Sequence, residues 1–394
     1  MPDVKTNNPA ADSVGIVVTR TLTVAQPPDV LKLECGRSLG PITVAYETYG
    51  QLTPERDNAI LILHAWTGDA HAAGRHHPDD PKPGWWDNMV GPGKAFDTNR
   101  YFIICTNVLG GCKGSTGPTS PDPATGKPYG LTFPILTIAD MVKVQKLVLD
   151  ALGIERLLSM VGGSMGGMQA LEWLLRYPEV PRSAIILAST SRLSPQSIAF
   201  NEVGRHAIVS DPNWQNGAYY GTDRQPETGL AIARMIGHIT FLSDESMNQK
   251  FGRRLQNRNE YGYELTREFE VESYLHAQGS RFVKRFDANT YLYLTKAMDY
   301  YDAAQDWGEG SLEKACRRVE AKTLVVSFSS DWLFPSYQSR ELVKALRQNN
   351  KDVSYLEIES SYGHDAFLLE SSTLQRVMES FLDNLYATVV KHDA

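Results

Sequence analysis

Cysteine is scarce in this chain. Four occur among 394 residues, Cys35, Cys105, Cys112 and Cys316, and none belongs to a Cys-x-x-Cys pair. That excludes a disulfide framework as the organising device, and reduced thiols in a bacterial-type cytoplasm are expected. Long apolar runs are missing as well. None approaches the roughly 18 residues that a membrane-spanning helix needs. The polar stretch from Met1 to Ser13 lacks the apolar core of a secretory signal. Dense blocks of positive charge are absent, and the net charge is −7. Nucleic acid is therefore not an expected partner, although net charge does not exclude a local basic patch for an anionic cofactor. No internal repeat or low-complexity tract breaks the pattern. With 42% hydrophobic and 22% charged residues, the composition is that of a soluble globular protein. The length suits one large domain or a domain with an insertion.

Apolar runs of strand length recur along the chain. Residues 15–50 alternate, as in Ile42-Thr43-Val44-Ala45-Tyr46-Glu47-Thr48-Tyr49, and predict antiparallel strands that open a sheet. Buried parallel strands are predicted at Ala59–His64, Tyr101–Cys105, Leu157–Val161, Ser183–Ala188, Lys322–Phe328 and Val353–Ile358. Helical periodicity separates several of them, for example over Ile138–Leu152 and Gln338–Arg347. This alternation implies an α/β fold with a mostly parallel sheet covered on both faces. Between Thr190 and Arg318 no strong strand is predicted. The expected organisation is a disordered lead-in at 1–14, a catalytic domain formed by 15–189 and 319–394, and a helical lid insertion at 190–318. The Gly-, Pro-, Ser- and Thr-rich loop from Gly110 to Pro134 is long enough to be functional or mobile.

Chemistry is concentrated at Gly162-Gly163-Ser164-Met165-Gly166. A strand precedes this stretch and a helix follows it. A serine on such a sharp turn is exposed as a nucleophile, with the next N–H, that of Met165, at a helix N-terminus where it can donate to an oxyanion. A general base and an orienting carboxylate are then required. Asp331 follows the strand Lys322–Phe328, and His364 follows Val353–Ile358. Both stand where catalytic groups gather, at the carboxyl ends of parallel strands, in the order Ser, Asp, His. The second oxyanion donor is expected from the loop His64-Ala65-Trp66-Thr67-Gly68, with the Trp66 N–H as the candidate. The Trp66 indole either walls the acyl pocket or fills core. A competing metal site would use His64, His71, His76 and His77 with Asp69, Asp79 and Asp80. Their spacing matches neither a His-Glu-x-x-His helix nor a Cys/His zinc pattern, so no metal is expected.

Five stretches together are similar to one family. They are His64-Ala65-Trp66-Thr67-Gly68-Asp69-Ala70-His71, Asn107 to Pro118, Gly162 to Gln169, Ala233-Arg234-Met235-Ile236-Gly237-His238-Ile239-Thr240, and Tyr362-Gly363-His364-Asp365-Ala366-Phe367. The chain resembles the homoserine O-acetyltransferase family over nearly its whole length. The resemblance implies an α/β-hydrolase fold with a helical lid, and a homodimer packed through the lids. It implies transfer of acetyl from acetyl-CoA to the hydroxyl of L-homoserine, in methionine biosynthesis, with acetyl-CoA as co-substrate and no tightly bound cofactor. A cytoplasmic location accords with it. By match to the family pattern, Ser164 is the nucleophile, Asp331 the orienting acid and His364 the base. Arg234 and Asp365 match the amino-acid substrate positions. A guanidinium can pair two-pronged with the carboxylate of homoserine, and a carboxylate can hold its ammonium. Arg234 also fits a structural ion pair within the helical segment.

Relatives that use succinyl-CoA commonly carry an arginine two positions after the Asp. This chain has Leu333 there, so acetyl is the expected cargo, with succinyl transfer and serine as acceptor the alternatives. Trp66 stands where many relatives have leucine, which bears on pocket shape rather than on the chemistry. A carboxylesterase would use the same three residues, with water in place of the amino acid. A non-catalytic binding protein would not need all three.

Overall fold

The computed structural model describes residues 12–369 and 372–392, with side chains to residue 388. Most of the expected lead-in, residues 1–11, lies outside the described residues. Eight strands form one sheet: β1 (Arg20–Val24), β2 (Ile42–Tyr49), β3 (Ala59–Leu63), β4 (Phe102–Thr106), β5 (Ser159–Gly163), β6 (Ser183–Leu187), β7 (Lys322–Phe328) and β8 (Val353–Ile358). Their spatial order is β1-β2-β4-β3-β5-β6-β7-β8. β2 pairs antiparallel with β1 and β4, and all remaining pairs are parallel.

The apolar runs become central strands because both faces of the sheet are covered. Successive side chains of a strand point to opposite faces. Ala59, Leu61 and Leu63 of β3 accordingly join one core layer with Met141, Leu171 and Trp173. Ile60 and Ile62 join the other, with Trp86, Phe96, Met378 and Leu382. Helices α1 (Ile138–Ala151) and α2 (Met165–Arg176) build the first layer, and the C-terminal helix Ser372–His392 contributes to the second.

From Leu187 to Lys322 the chain leaves the sheet. It forms the helices Pro195–Val209, Glu227–Phe241, Glu270–Val283 and Ala288–Asp299 with shorter pieces between them. Among the described residues this stretch contributes only isolated bridges, Arg192 with Asp302 and Leu255 with Phe269. It packs over the loops that follow the parallel strands: the Trp332 indole N–H donates to the Leu242 carbonyl at 2.9 Å.

The loop from Gly110 to Pro134 is pinned at several points despite its composition. Thr116 Oγ1 accepts from the Thr43 N–H at 2.9 Å. The Tyr293 hydroxyl donates to the carbonyls of Leu131 and Phe133, at 3.1 and 2.7 Å. All four cysteines are free. Among the described residues no helix is long and apolar enough to cross a membrane.

Helix α1 begins with reciprocal hydrogen bonds. Thr137 Oγ1 accepts from the Asp140 N–H at 3.2 Å, and Asp140 Oδ2 accepts from the Thr137 N–H at 3.1 Å. These satisfy donors that a helix start leaves without partners. Thr137→Ala should lower unfolding free energy by about 1 kcal/mol, read as a lower urea midpoint with an unchanged slope.

Candidate active site

Strand β5 runs two residues further than its apolar side chains suggest. Gly162 and Gly163 are still paired in the sheet, Gly162 opposite Leu63 and Ile186, and Gly163 opposite Leu187. Ser164 alone makes the turn into α2, at φ 59 and ψ −124. A non-glycine residue at positive φ costs of order 1–3 kcal/mol and persists only where its surroundings impose it. Here α2 is pressed against the sheet. A Cβ on Gly162 would collide with the backbone of Gly166, and one on Gly166 with the carbonyl of Leu63. The Ser164 N–H donates to the Leu187 carbonyl at 3.0 Å, and its own carbonyl accepts from Ser189 Oγ at 2.8 Å.

His364 and Asp331 come from the loops after β8 and β7. Ser164 Oγ lies 2.9 Å from His364 Nε2, and His364 Nδ1 lies 2.8 Å from Asp331 Oδ2. A carboxylate only accepts, so the Nδ1–H donates to Asp331 and leaves Nε2 free to accept the serine hydroxyl proton. The other oxygen of Asp331 accepts from the N–H groups of Leu333 and Phe334, at 3.0 and 2.8 Å. The carboxylate is thereby locked in orientation. Phe334, Phe367 and Phe241 stand around the imidazole, with ring centroids at 4.9, 5.7 and 6.2 Å. Burial by itself lowers the basicity of His364. The charge and hydrogen bond of Asp331, helped by Asp365, outweigh it and hold the imidazole pKa above its ordinary value.

The loop after β3 faces this line. Among the described residues the Trp66 N–H has no protein acceptor, and Met165, first in α2, has none within its helix. Two side chains from the motif stretches brace the loop, a role that the sequence does not show. The buried His64 ring donates from Nδ1 to the Ala65 carbonyl at 2.8 Å and accepts the Val108 N–H at Nε2, 3.1 Å away. Both ring nitrogens are used, and burial pushes its pKa down. Gln169 Nε2 lies 3.3 Å from the carbonyls of both His64 and Met165, so one amide bridges the two candidate donor segments.

Arg234 projects from helix Glu227–Phe241 toward the same space. Its guanidinium lies 4.7 Å from the Phe282 ring centroid and 5.4 Å from that of Phe241. Its one side-chain hydrogen bond among the described residues is long, 3.4 Å to Thr67 Oγ1. Burial and the neighbouring Arg285 lower its pKa to about 10, against the pull of Asp365. Burial also raises the pKa of Asp365, which His364 and Arg234 only partly offset. A cation and an anion without close partners thus flank one cavity, each held in a state that an opposite charge would relieve. No structural ion pair forms at Arg234 among the described residues. Arg285 belongs to the same wall, donating to the Thr67 carbonyl at 3.0 Å, and nothing in the sequence pattern set it apart.

Two cavities meet at Ser164. One, of about 430 Å³, holds His364, Arg234, Asp365, Asp69, Arg285 and Lys82. The other is lined without charged side chains and includes Leu333, Phe334, Ile236 and Met298. Trp66 and Phe241 border both. The indole lies edge-on to Tyr291 with centroids 4.8 Å apart.

Of the loop histidines and aspartates, His77 and Asp79 pair at the surface, 3.4 Å apart. His71 and His76 converge on a carboxylate from another element. His71 Nδ1 lies 3.0 Å from Glu47 Oε2, and His76 Nε2 lies 2.7 Å from Glu47 Oε1. The three ligand atoms fall within 4.8 Å of one another. Each imidazole takes its own oxygen, and Thr19 Oγ1 and the Tyr49 hydroxyl donate to the same two oxygens at 2.7 and 2.8 Å. Burial would raise the Glu47 pKa, but these donors outweigh it and keep the carboxylate below its usual range.

A model of the alpha/beta hydrolase fold family matches residues 58–371. A homoserine O-acetyltransferase of Methanohalobium evestigatum is 59% identical over 376 residues, covering 95% of this chain and 75% of that protein. The crystal structure of homoserine O-acetyltransferase from Bacillus anthracis superposes with a TM-score of 0.85 at 32% identity, covering 93% of this chain and 98% of the other. Esterase E22 superposes with a TM-score of 0.84 at 32% identity, covering 93% and 100%.

The geometry predicts a serine that reacts with electrophiles only while His364 is neutral. Labelling by a serine-directed fluorophosphonate should fall as the pH drops through the raised His364 pKa, above the ordinary 6.5. Ser164→Ala should abolish the adduct mass. A labelling rate independent of pH between 5 and 8 would remove His364 as the base.

Proposed function

Because the chain belongs to the homoserine O-acetyltransferase family of α/β-hydrolase fold, we propose that it transfers an acetyl group from acetyl-CoA to the hydroxyl of L-homoserine through an acyl-Ser164 intermediate. The observation that carries this reading is the presence of both Arg234 and Asp365, neither closely partnered, in the cavity that contains Ser164 and His364. A simple ester needs neither charge. An amino acid needs both, its carboxylate at Arg234 and its ammonium at Asp365.

In the first half-reaction His364 takes the Ser164 proton, and Oγ attacks the thioester carbonyl. The N–H groups of Met165 and Trp66 hold the oxyanion. The intermediate collapses, the C–S bond breaks and His364 returns the proton to the departing thiolate. In the second, His364 takes the proton of the homoserine hydroxyl, whose oxygen attacks the acyl-serine. The ester leaves, and Ser164 recovers its proton from His364. The sequence is ping-pong with a covalent intermediate, and it requires no tightly bound cofactor. The product feeds methionine biosynthesis, and the reaction suits the cytoplasm.

Leu333 supports acetyl over succinyl, because a succinyl tail brings a carboxylate and the wall at Leu333 is apolar. The helical stretch 190–318 is read as a lid, since it supplies Arg234 and Arg285 to the cavity. Exposed apolar side chains on it, Ile232 and Ile239 among them, suit a homodimer packed through the lids. A second reading, ester hydrolysis, is kept because esterase E22 shares the architecture.

The deciding measurement is thiol release from acetyl-CoA and succinyl-CoA with L-homoserine, L-serine or no acceptor. Release from acetyl-CoA that depends on L-homoserine is expected; release indifferent to the acceptor would establish hydrolysis instead. Arg234→Ala should raise the acceptor KM about 10- to 100-fold, the worth of a charge-assisted hydrogen bond. Formation of the acyl-enzyme, read by intact mass, should be largely retained. Asp331→Asn should reduce kcat by about 10⁴-fold, because the imidazole would lose its tautomer.

A further inference from the structure

The two cavities that meet at Ser164 differ in kind, and a carbonyl held in the oxyanion hole must direct its chain into one of them. The charged cavity is taken by the amino acid, and beforehand by the thiol end of the donor. The uncharged one remains for the acyl chain. Its wall includes Leu193, Phe200, Ile236, Met298, Leu333 and Phe334. Three of its polar side chains are engaged within the protein. Asn201 Nδ2 donates to Asp299 Oδ1 at 2.8 Å, Thr240 Oγ1 to the Gly237 carbonyl at 2.9 Å, and Ser197 Oγ to the Leu333 carbonyl at 3.4 Å. No cation lines it to meet a carboxylate tail, and an alkyl tail needs no partner.

The space exceeds what acetyl uses. The free volume is about 40 Å³, a few times the roughly 10–15 Å³ that a single water-sized probe occupies. The methyl of an acetyl group leaves part of it unfilled, and the chains of propionyl and butyryl extend into that remainder. Five carbons, as in hexanoyl, overfill it. We infer that this apolar cavity is an acyl-chain pocket of limited depth, which makes propionyl-CoA and butyryl-CoA donor substrates and excludes hexanoyl-CoA. The inference rests on the reading of Ser164 as the acyl carrier. Length is then set by how many carbons the cavity holds, and charge by the absence of a cation on its wall. These are separate filters.

Steady-state thiol release with saturating L-homoserine tests it, using acetyl-, propionyl-, butyryl-, hexanoyl- and succinyl-CoA, with intact mass reporting the acyl-enzyme. Propionyl and butyryl should give kcat/KM within about tenfold of acetyl, the scale of one or two methylenes in an apolar pocket. Hexanoyl should fall by roughly a hundredfold, as overpacking costs in a close-packed site. Met298→Ala should raise the hexanoyl-to-acetyl ratio of kcat/KM about tenfold by deepening the wall. The wild-type series decides the matter even if that variant fails to fold. Transfer of acetyl with no turnover of propionyl or butyryl would overturn the pocket and leave the acetyltransferase reading intact. Equal turnover of butyryl and hexanoyl would also overturn it, because the chain would then lie outside the cavity. No acyl-enzyme from any donor would remove the Ser164 reading and this inference with it.

Discussion

The hydrogen-bonded line from Asp331 through His364 to Ser164 is the constraint on which the site depends. It joins the ends of three strands, β7, β8 and β5, each contributing one residue. The line holds only while those strands keep parallel register, because a shift of one residue would reverse every side chain. The two continuous core layers enforce that register: neighbouring residues of β3 and β6 commit to opposite faces. The strained Ser164 is stable for the same reason. Its backbone is fixed from below by Leu187 and Ser189, and its neighbours approach too closely to relax.

Above that line the helical stretch between β6 and β7 supplies two cationic side chains, Arg234 and Arg285, to the charged cavity. Helix Glu227–Phe241 contributes Arg234 to one cavity and Ile236 to the other. One element therefore walls both the charged and the apolar side of Ser164. Arg234 is half-buried between two aromatic rings, which orient the guanidinium without neutralising it. A carboxylate partner inside the protein would have stabilised the arginine but left it unable to bind one from a substrate. Arg234 and Arg285 both bond to Thr67, on the loop that carries the Trp66 N–H. The helical stretch and the candidate oxyanion loop are thus mechanically joined.

Much of the sheet is legible in the amino-acid order. Strands buried on both faces must be apolar throughout, so Lys322–Phe328 coincides with its expected bounds; Val353–Ile358 does too, but as a half-exposed edge strand rather than the buried one its apolar residues suggest. β5 is displaced, from 157–161 to Ser159–Gly163, because pairing is made by the backbone and side chains alone suggest where it stops. Gly162 and Gly163 carry no apolar side chain yet stay in the ladder. The elbow, the order Ser–Asp–His and the apolar side chain at position 333 were equally open to reading, since each depends on residue type near a strand end.

Residue chemistry tied to local pattern is readable along the chain: where strands run, which serine stands on a glycine-framed turn, which acid and imidazole follow later strands. Tertiary structure alone decided which distant groups meet. Glu47 reaches His71 and His76 across 24 and 29 residues, a distance that no spacing rule for ligands covers. Gln169 and His64 brace the candidate oxyanion loop through backbone carbonyls, and carbonyls leave no trace in residue type. The division of space around Ser164 into a charged and an apolar cavity is likewise invisible along the chain. It arises where loops from four strand ends meet helices from a separate stretch, and free volume belongs to that meeting rather than to any one segment.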